Sequence, residues 1–184
     1  MKNLLLATSA VAMMASGVYA DGHTEEVKIG VVLGFTGPLE SITPAMGAGA
    51  ELAMAEVTES GALLGGAKVT SVRGDSTCID AGAATAAAER LVTSDEVDAI
   101  MGADCFGVTG AILQNVARPN GVAMISPSAT SPGLSTAEDD GLFFRTAPSD
   151  ARQGVIITEI LQDRGISEVA LTYTNNDYGK GLAD

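Results

Sequence analysis

Over residues 27–33 (VKIGVVL) apolar side chains follow one another instead of alternating with polar ones, the pattern of a strand covered on both faces in a parallel sheet. Further apolar runs at 67–72, 97–101, 122–125, 142–145 and 168–173 predict five more strands. Between them the period lengthens. Residues 43–60 carry Met46, Leu52, Met54, Ala55 and Val57 near helical spacing, and Gly61 and the Gly65–Gly66 pair end the run. Residues 80–93 place Ala84, Ala87, Ala88 and Leu91 on one face of a second helix. Helices are also predicted at 108–118, at 149–164 with Ser149 or Asp150 as cap, and from residue 178 onward. Alternating strands and helices of this length predict an α/β fold, a doubly wound parallel sheet. The first sheet is complete by about Arg145, and residue 184 falls inside a helix just begun, so the chain reads as a fragment.

The first twenty residues read differently. Lys2 precedes an apolar stretch, and Val18-Tyr19-Ala20 offers small side chains where a signal peptidase reads, so residues 1–20 are expected to be a cleaved secretory signal. A membrane anchor fits less well, because Thr8, Ser9 and Ser16 interrupt a run already short of the ~20 residues a span needs. The formal net charge of −13 argues against nucleic acid, whose phosphates require a basic face. With no Trp and 4% aromatic residues, a cage of rings for sugars is not expected. Cys78 and Cys105 are the two cysteines, and an isolated pair in an exported protein most often bonds. A zinc site lacks its further ligands, since the one histidine, His23, lies in the polar leader.

Ligands of parallel α/β sheets bind beyond the carboxyl ends of the strands. The loops expected there are GFTGPLES (34–41), GDSTCID (74–80), ADCFGVTG (103–110) and SPSATSPGL (126–134), all rich in small or polar residues. Their backbone N–H groups, with the helix starts that follow, suit a small anion such as a carboxylate. The hydroxyls of Ser128 and Thr130 are free to donate or accept, although ordinary turn chemistry accounts for the same residues. Cys78 and Cys105 fall in two of these loops, where a bond would staple one rim; a purely structural disulfide would look the same. Signatures of catalysis are weak. No Ser/His/Asp triad can be assembled around His23, and GAGAEL at 47–52 lies inside a helix and lacks the third glycine of a dinucleotide fingerprint.

The order of IGVVLGFTGPL, the D-x-x-C of Asp75 to Cys78, GADC, MISPSATSP, FRTAPSDARQG and NDYGKGLA resembles the Leu/Ile/Val-binding family, the substrate-binding proteins of ABC transporters for branched-chain amino acids. The resemblance spans nearly all of the chain after the signal. It implies a two-lobe type I periplasmic-binding fold, with residues 27–147 as the first lobe, 148–184 as the beginning of the second, and a Cys78–Cys105 disulfide. It also implies a ligand site. Phe106 stands where the family offers a Ser to the ligand carboxylate, leaving the backbone N–H. Ser128 and Thr130, with Ala129 between them, match the loop that meets the ammonium and carboxylate. Ile42 is nearest to a covering aromatic residue, and Tyr178 matches a tyrosine of the second lobe. A ring at 106 either reshapes the pocket or packs beneath the loop and leaves it unchanged.

The expected function is that of a monomeric periplasmic solute-binding protein. It captures a small amino acid or other carboxylate between two lobes and hands it to a membrane permease, with no cofactor or metal and no reaction. A sensor domain of the same fold is the alternative. A secreted hydrolase is less favoured, because no G-x-S-x-G elbow is present.

Overall fold

The structure, a computed structural model, describes residues 26–183. The signal peptide assigned to residues 1–20, and His23, lie outside the described residues. Strand β1 (Glu26–Leu33) leads through helix α1 (Thr43–Ser60) to β2 (Lys68–Asp75), and α2 (Ala81–Thr93) carries the chain to β3 (Ala99–Gly102). Helix α3 (Phe106–Ile112) continues through a π-helical segment (Leu113–Ala117) and the short α4 (Arg118–Asn120) into β4 (Ala123–Ser126). A 3-10 turn (Pro132–Ser135) precedes β5 (Phe143–Arg145), and α5 (Asp150–Asp163) and α6 (Asp177–Ala183) follow.

All pairings are parallel, in the order β2-β1-β3-β4-β5. Since β2 and β3 flank β1 on opposite sides, right-handed connections place α1 on one face and α2 on the other. The winding direction reverses between β1 and β3, the position at which doubly wound sheets open a crevice.

The face carrying α2 and α3 holds the main core. Val32, Leu91, Ile100, Ile112, Leu113 and Met124 form one cluster and are at most 1% exposed. Asp80 caps α2 by accepting from Ala83 N at 2.9 Å. Gly102 is obligatory in this layer: its φ is +141°, and a Cβ there would stand 2.1 Å from the Val32 carbonyl oxygen.

Three sequence expectations need correction. The apolar spacing of α1 does not mark its buried side. Thr43 and Gly47 are its buried residues, while Leu52 and Val57 are exposed. The helix rests on the edge strand β2, which presents polar groups, so polar contacts hold it: Glu51 pairs with Arg73, and Thr58 Oγ1 accepts from Val69 N at 2.9 Å. Strand β4 is covered on one face only, with Ala123 and Ile125 exposed. Residues 168–173 form no strand, because they find no partner strand among the described residues; Val169, Leu171 and Tyr173 are exposed. The helices predicted at 149–164 and from 178 are present, with Ser149 as the cap of α5.

Candidate functional site

Four loops leave the carboxyl ends of β1 to β4 on the same rim, and their side chains tie them together. Asp104, two residues beyond the end of β3, is 4% exposed. Its Oδ1 accepts from the N–H of Gly34 at 3.0 Å and from Ser76 Oγ at 3.2 Å, linking the loops after β1, β2 and β3. Gly34 is needed for this approach: a Cβ would lie 3.1 Å from Cys78 Cβ and 3.2 Å from Asp104 Oδ2. Ser128 Oγ donates to the Asp104 carbonyl at 3.0 Å, which adds the loop after β4. Ser126 Oγ donates to the Ala103 carbonyl and accepts from Ala129 N at 2.9 Å. Ser131 Oγ caps the 3-10 turn through Gly133 N at 3.2 Å. The hydroxyl-rich stretch 126–131 is therefore a set of struts.

Thr130 is one of them. Its hydroxyl donates to Asp150 Oδ2 at 2.9 Å, while Asp150 N donates to the Thr130 carbonyl at 2.9 Å. This joins the first residue of α5 to the rim. Asp75 works on the opposite flank. Burial raises its pKa, but hydrogen bonds from Thr36 and Thr77 outweigh that and hold its carboxyl below the usual range. The sulfurs of Cys78 and Cys105 stand 2.00 Å apart, at bonding distance, at a sequence separation of 27. Asp104 lies within 4.8 Å of both, a grouping with the residue types of a metal site; sulfurs joined to each other offer no thiolate to an ion.

Between these loops lies a cavity of about 590 Å³. Ile42, Phe106, Ser128, Ala129, Thr130 and Tyr178, the residues singled out in the sequence, all line it. So do Leu39, Met46, Ile79, Asp104, Gly107 and Asn176, which the sequence reading had not selected. Ile42 and Ile79 are apolar yet 50% and 76% exposed, which marks them as lips of the opening. Phe106 does two things: it packs against the core, with its ring toward Gly133, and still lines the cavity. Asp104 and Asn176 sat within motifs already noticed, but nothing in their spacing pointed toward a cavity.

Comparison with known proteins follows this geometry. A family model described as periplasmic binding protein matches residues 26–184. The chain belongs to the periplasmic binding protein family. Among the relatives of this periplasmic binding protein is the Leu/Ile/Val-binding protein homolog 3 of Brucella melitensis, 30% identical over 96% of this chain and 47% of that protein. The Leu/Ile/Val/Thr-binding protein of Salmonella typhimurium is 29% identical over 100% of this chain and 48% of its own. Among solved structures, the branched-chain amino acid transporter substrate binding protein LivJ of Streptococcus pneumoniae, in complex with isoleucine, superposes with a TM-score of 0.75. It is 32% identical and covers 86% of this chain and 44% of that one. The chain thus spans about half the length of the curated relatives it matches. The described residues make up one lobe of the type I periplasmic-binding fold and the start of the next.

Proposed function

We propose that this chain is part of an exported solute-binding protein that captures a small amino acid or other carboxylate-bearing molecule between two lobes and delivers it to the permease of an ABC importer. The observation that carries the proposal is the cavity at the β1/β3 switch, walled by four interlocked loops of the first lobe and by Asn176 and Tyr178 beyond it. Residues 1–20 are read as the cleaved export signal, 27–147 as the first lobe, and 148–184 as the beginning of the second. Ile42, Phe106, Ser128, Ala129, Thr130 and Tyr178 are read as ligand-facing residues, and the Cys78–Cys105 bond as a staple formed after export. Export to an oxidising compartment fits two cysteines brought to bonding distance.

The mechanism is capture without chemistry. A preformed first-lobe wall meets the solute, and contacts shared with the second lobe shift the population toward the closed state. The apolar lips Ile42 and Ile79 lose water on closure, which favours solutes with an apolar body. Delivery by a lone subunit is the reading adopted. Isothermal titration of the full-length protein against amino acids, amides, amines, aromatic acids and short-chain acids tests it. At least one should bind stoichiometrically and unchanged; no heat from any of them would overturn the proposal.

A further inference from the structure

Asp104, 4% exposed, has one oxygen that the struts leave unexplained. Its Oδ1 takes both structural hydrogen bonds, from Gly34 N at 3.0 Å and Ser76 Oγ at 3.2 Å. Among the described residues, the one group within hydrogen-bonding range of Oδ2 is Cys105 Sγ at 3.7 Å. That sulfur is bonded to Cys78 and has no hydrogen to donate. No ion pair to Asp104 occurs among the described residues. Buried charges are as a rule paired or bound to a metal, because an unmet charge away from water is costly.

Opening the Cys78–Cys105 bond changes what surrounds Oδ2. A dithiol reductant does this in a balanced exchange. Its two sulfurs join to each other, its two electrons enter the Cys78–Cys105 bond, and its two protons pass to the Cys78 and Cys105 sulfurs. Two thiols then flank a carboxylate, and the ligand atoms of Cys78, Asp104 and Cys105 all lie within 4.8 Å of one another. On a tetrahedral zinc ion, with Zn–S of about 2.3 Å and Zn–O of about 2.0 Å, sulfur and oxygen stand about 3.5 Å apart and two sulfurs about 3.8 Å. Oδ2 and Cys105 Sγ already stand 3.7 Å apart. The cysteine Cα atoms are 5.2 Å apart, so side-chain rotation alone brings the freed sulfurs to that spacing. The bonds to Oδ1 fix the carboxylate from behind, as outer partners do for metal ligands. All three residues line the cavity, which gives an ion an entry path and leaves a fourth position for water.

We infer that in its dithiol form this chain holds one zinc-type divalent cation on Cys78 Sγ, Cys105 Sγ and Asp104 Oδ2. Two thiolates and one carboxylate suit Zn²⁺ and Cd²⁺; Mg²⁺ and Ca²⁺ take oxygen donors. Binding releases both thiol protons to solvent. The cysteines thus have two exclusive states, bonded to each other or sharing an ion, and the ion withholds both thiolates from oxidation. The inference concerns the reduced protein and does not rest on the solute-binding reading.

The test reduces the full-length protein with a small dithiol and removes the reductant by anaerobic gel filtration. The protein is then titrated with Zn²⁺ and with Cd²⁺, the latter followed by thiolate-to-metal charge-transfer absorption. The reduced protein should bind one equivalent, resistant to excess Mg²⁺, and the oxidised protein none. Bound Zn²⁺ should slow re-formation of the disulfide in air. Asp104→Asn keeps an Oδ1 acceptor for Gly34 and Ser76. It should weaken Cd²⁺ by about tenfold or more, at least the loss that follows removal of an outer partner. Should that variant fail to fold, the cadmium NMR shift of the wild type still decides, since it separates two sulfur and two oxygen donors from sulfur alone. No binding by the reduced protein would overturn the inference, with a Cys105 S–H donor then meeting Oδ2 instead. So would equal binding by the oxidised protein, an unchanged affinity in Asp104→Asn, or a shift without oxygen donors. Each of these outcomes leaves solute capture by the oxidised protein standing.

Discussion

Two ladders of side chains cross the sheet on opposite faces, one residue out of phase. On the α2/α3 face Gly30, Ile100, Met124 and Phe143 stand in register, and the last three are 1%, 1% and 8% exposed. On the α1 face the matching ladder is Val31, Met101, Ile125 and Phe144. There exposure climbs from 0% at Val31 to 43% at Ile125 and 55% at Phe144, because α1 covers β1 and β2 and no described element covers β4 and β5. Both ladders are built from comparable apolar residues. Composition sets which positions can be buried, and the winding of the chain decides which of them are.

The largest expected effect comes from truncating the closed face. Met124→Ala should destabilise the chain by about 2–5 kcal/mol in urea denaturation, since its side chain leaves a cavity among Ile100, Leu113 and Phe143. Ile125→Ala, one residue on, should cost about 1 kcal/mol or less in the same 184-residue chain. Equal costs would mean that the two faces are alike. Phe144→Ser tests the open face in another way: it should lower self-association in light scattering at little cost in melting temperature.

The smallest effect concerns how α1 is held. Its side of the sheet depends on carboxylates. Glu51 is held below the usual carboxyl range chiefly by its hydrogen bond with Arg73. At Asp75 burial acts upward, and the bonds from Thr36 and Thr77 prevail downward. For groups whose folded pKa is depressed, the stabilisation is present above the unfolded value and fades as pH falls through the carboxylate range toward the folded one. Acid should therefore raise amide exchange in α1 relative to α2, whose buried face of Ala84, Ala88 and Leu91 is apolar. Combining Glu51→Gln with Asp75→Asn should abolish the pH dependence of that ratio; an unchanged ratio in the wild type would refute the polar attachment of α1.

Much of the scaffold was legible in the sequence. Strand and helix alternation gave the parallel α/β sheet, and the Gly-rich breaks fell at the real turns. The period of α1 misled because a helix over a polar edge strand buries small and hydrophilic residues, and hydrophobic spacing then marks the solvent side. The run at 168–173 has strand composition, but a strand exists only with a partner. The six residues singled out for the ligand do gather around one cavity, yet the assignment of their hydroxyls was out of reach. Whether Thr130 offers a proton depends on Asp150, 20 positions away, and the role of Asp104 depends on Gly34, 70 positions away.

That last separation has a consequence for the order of events in the life of the chain. The bond between Gly34 and Asp104 closes a long loop and requires β1 and β3 to be neighbours already, so its entropic cost is met only after much of the lobe has assembled. A chain in which β1 and β3 have not yet paired therefore lacks this brace between the loops that wall the cavity. The cavity wall is completed after the sheet that carries it, not together with it.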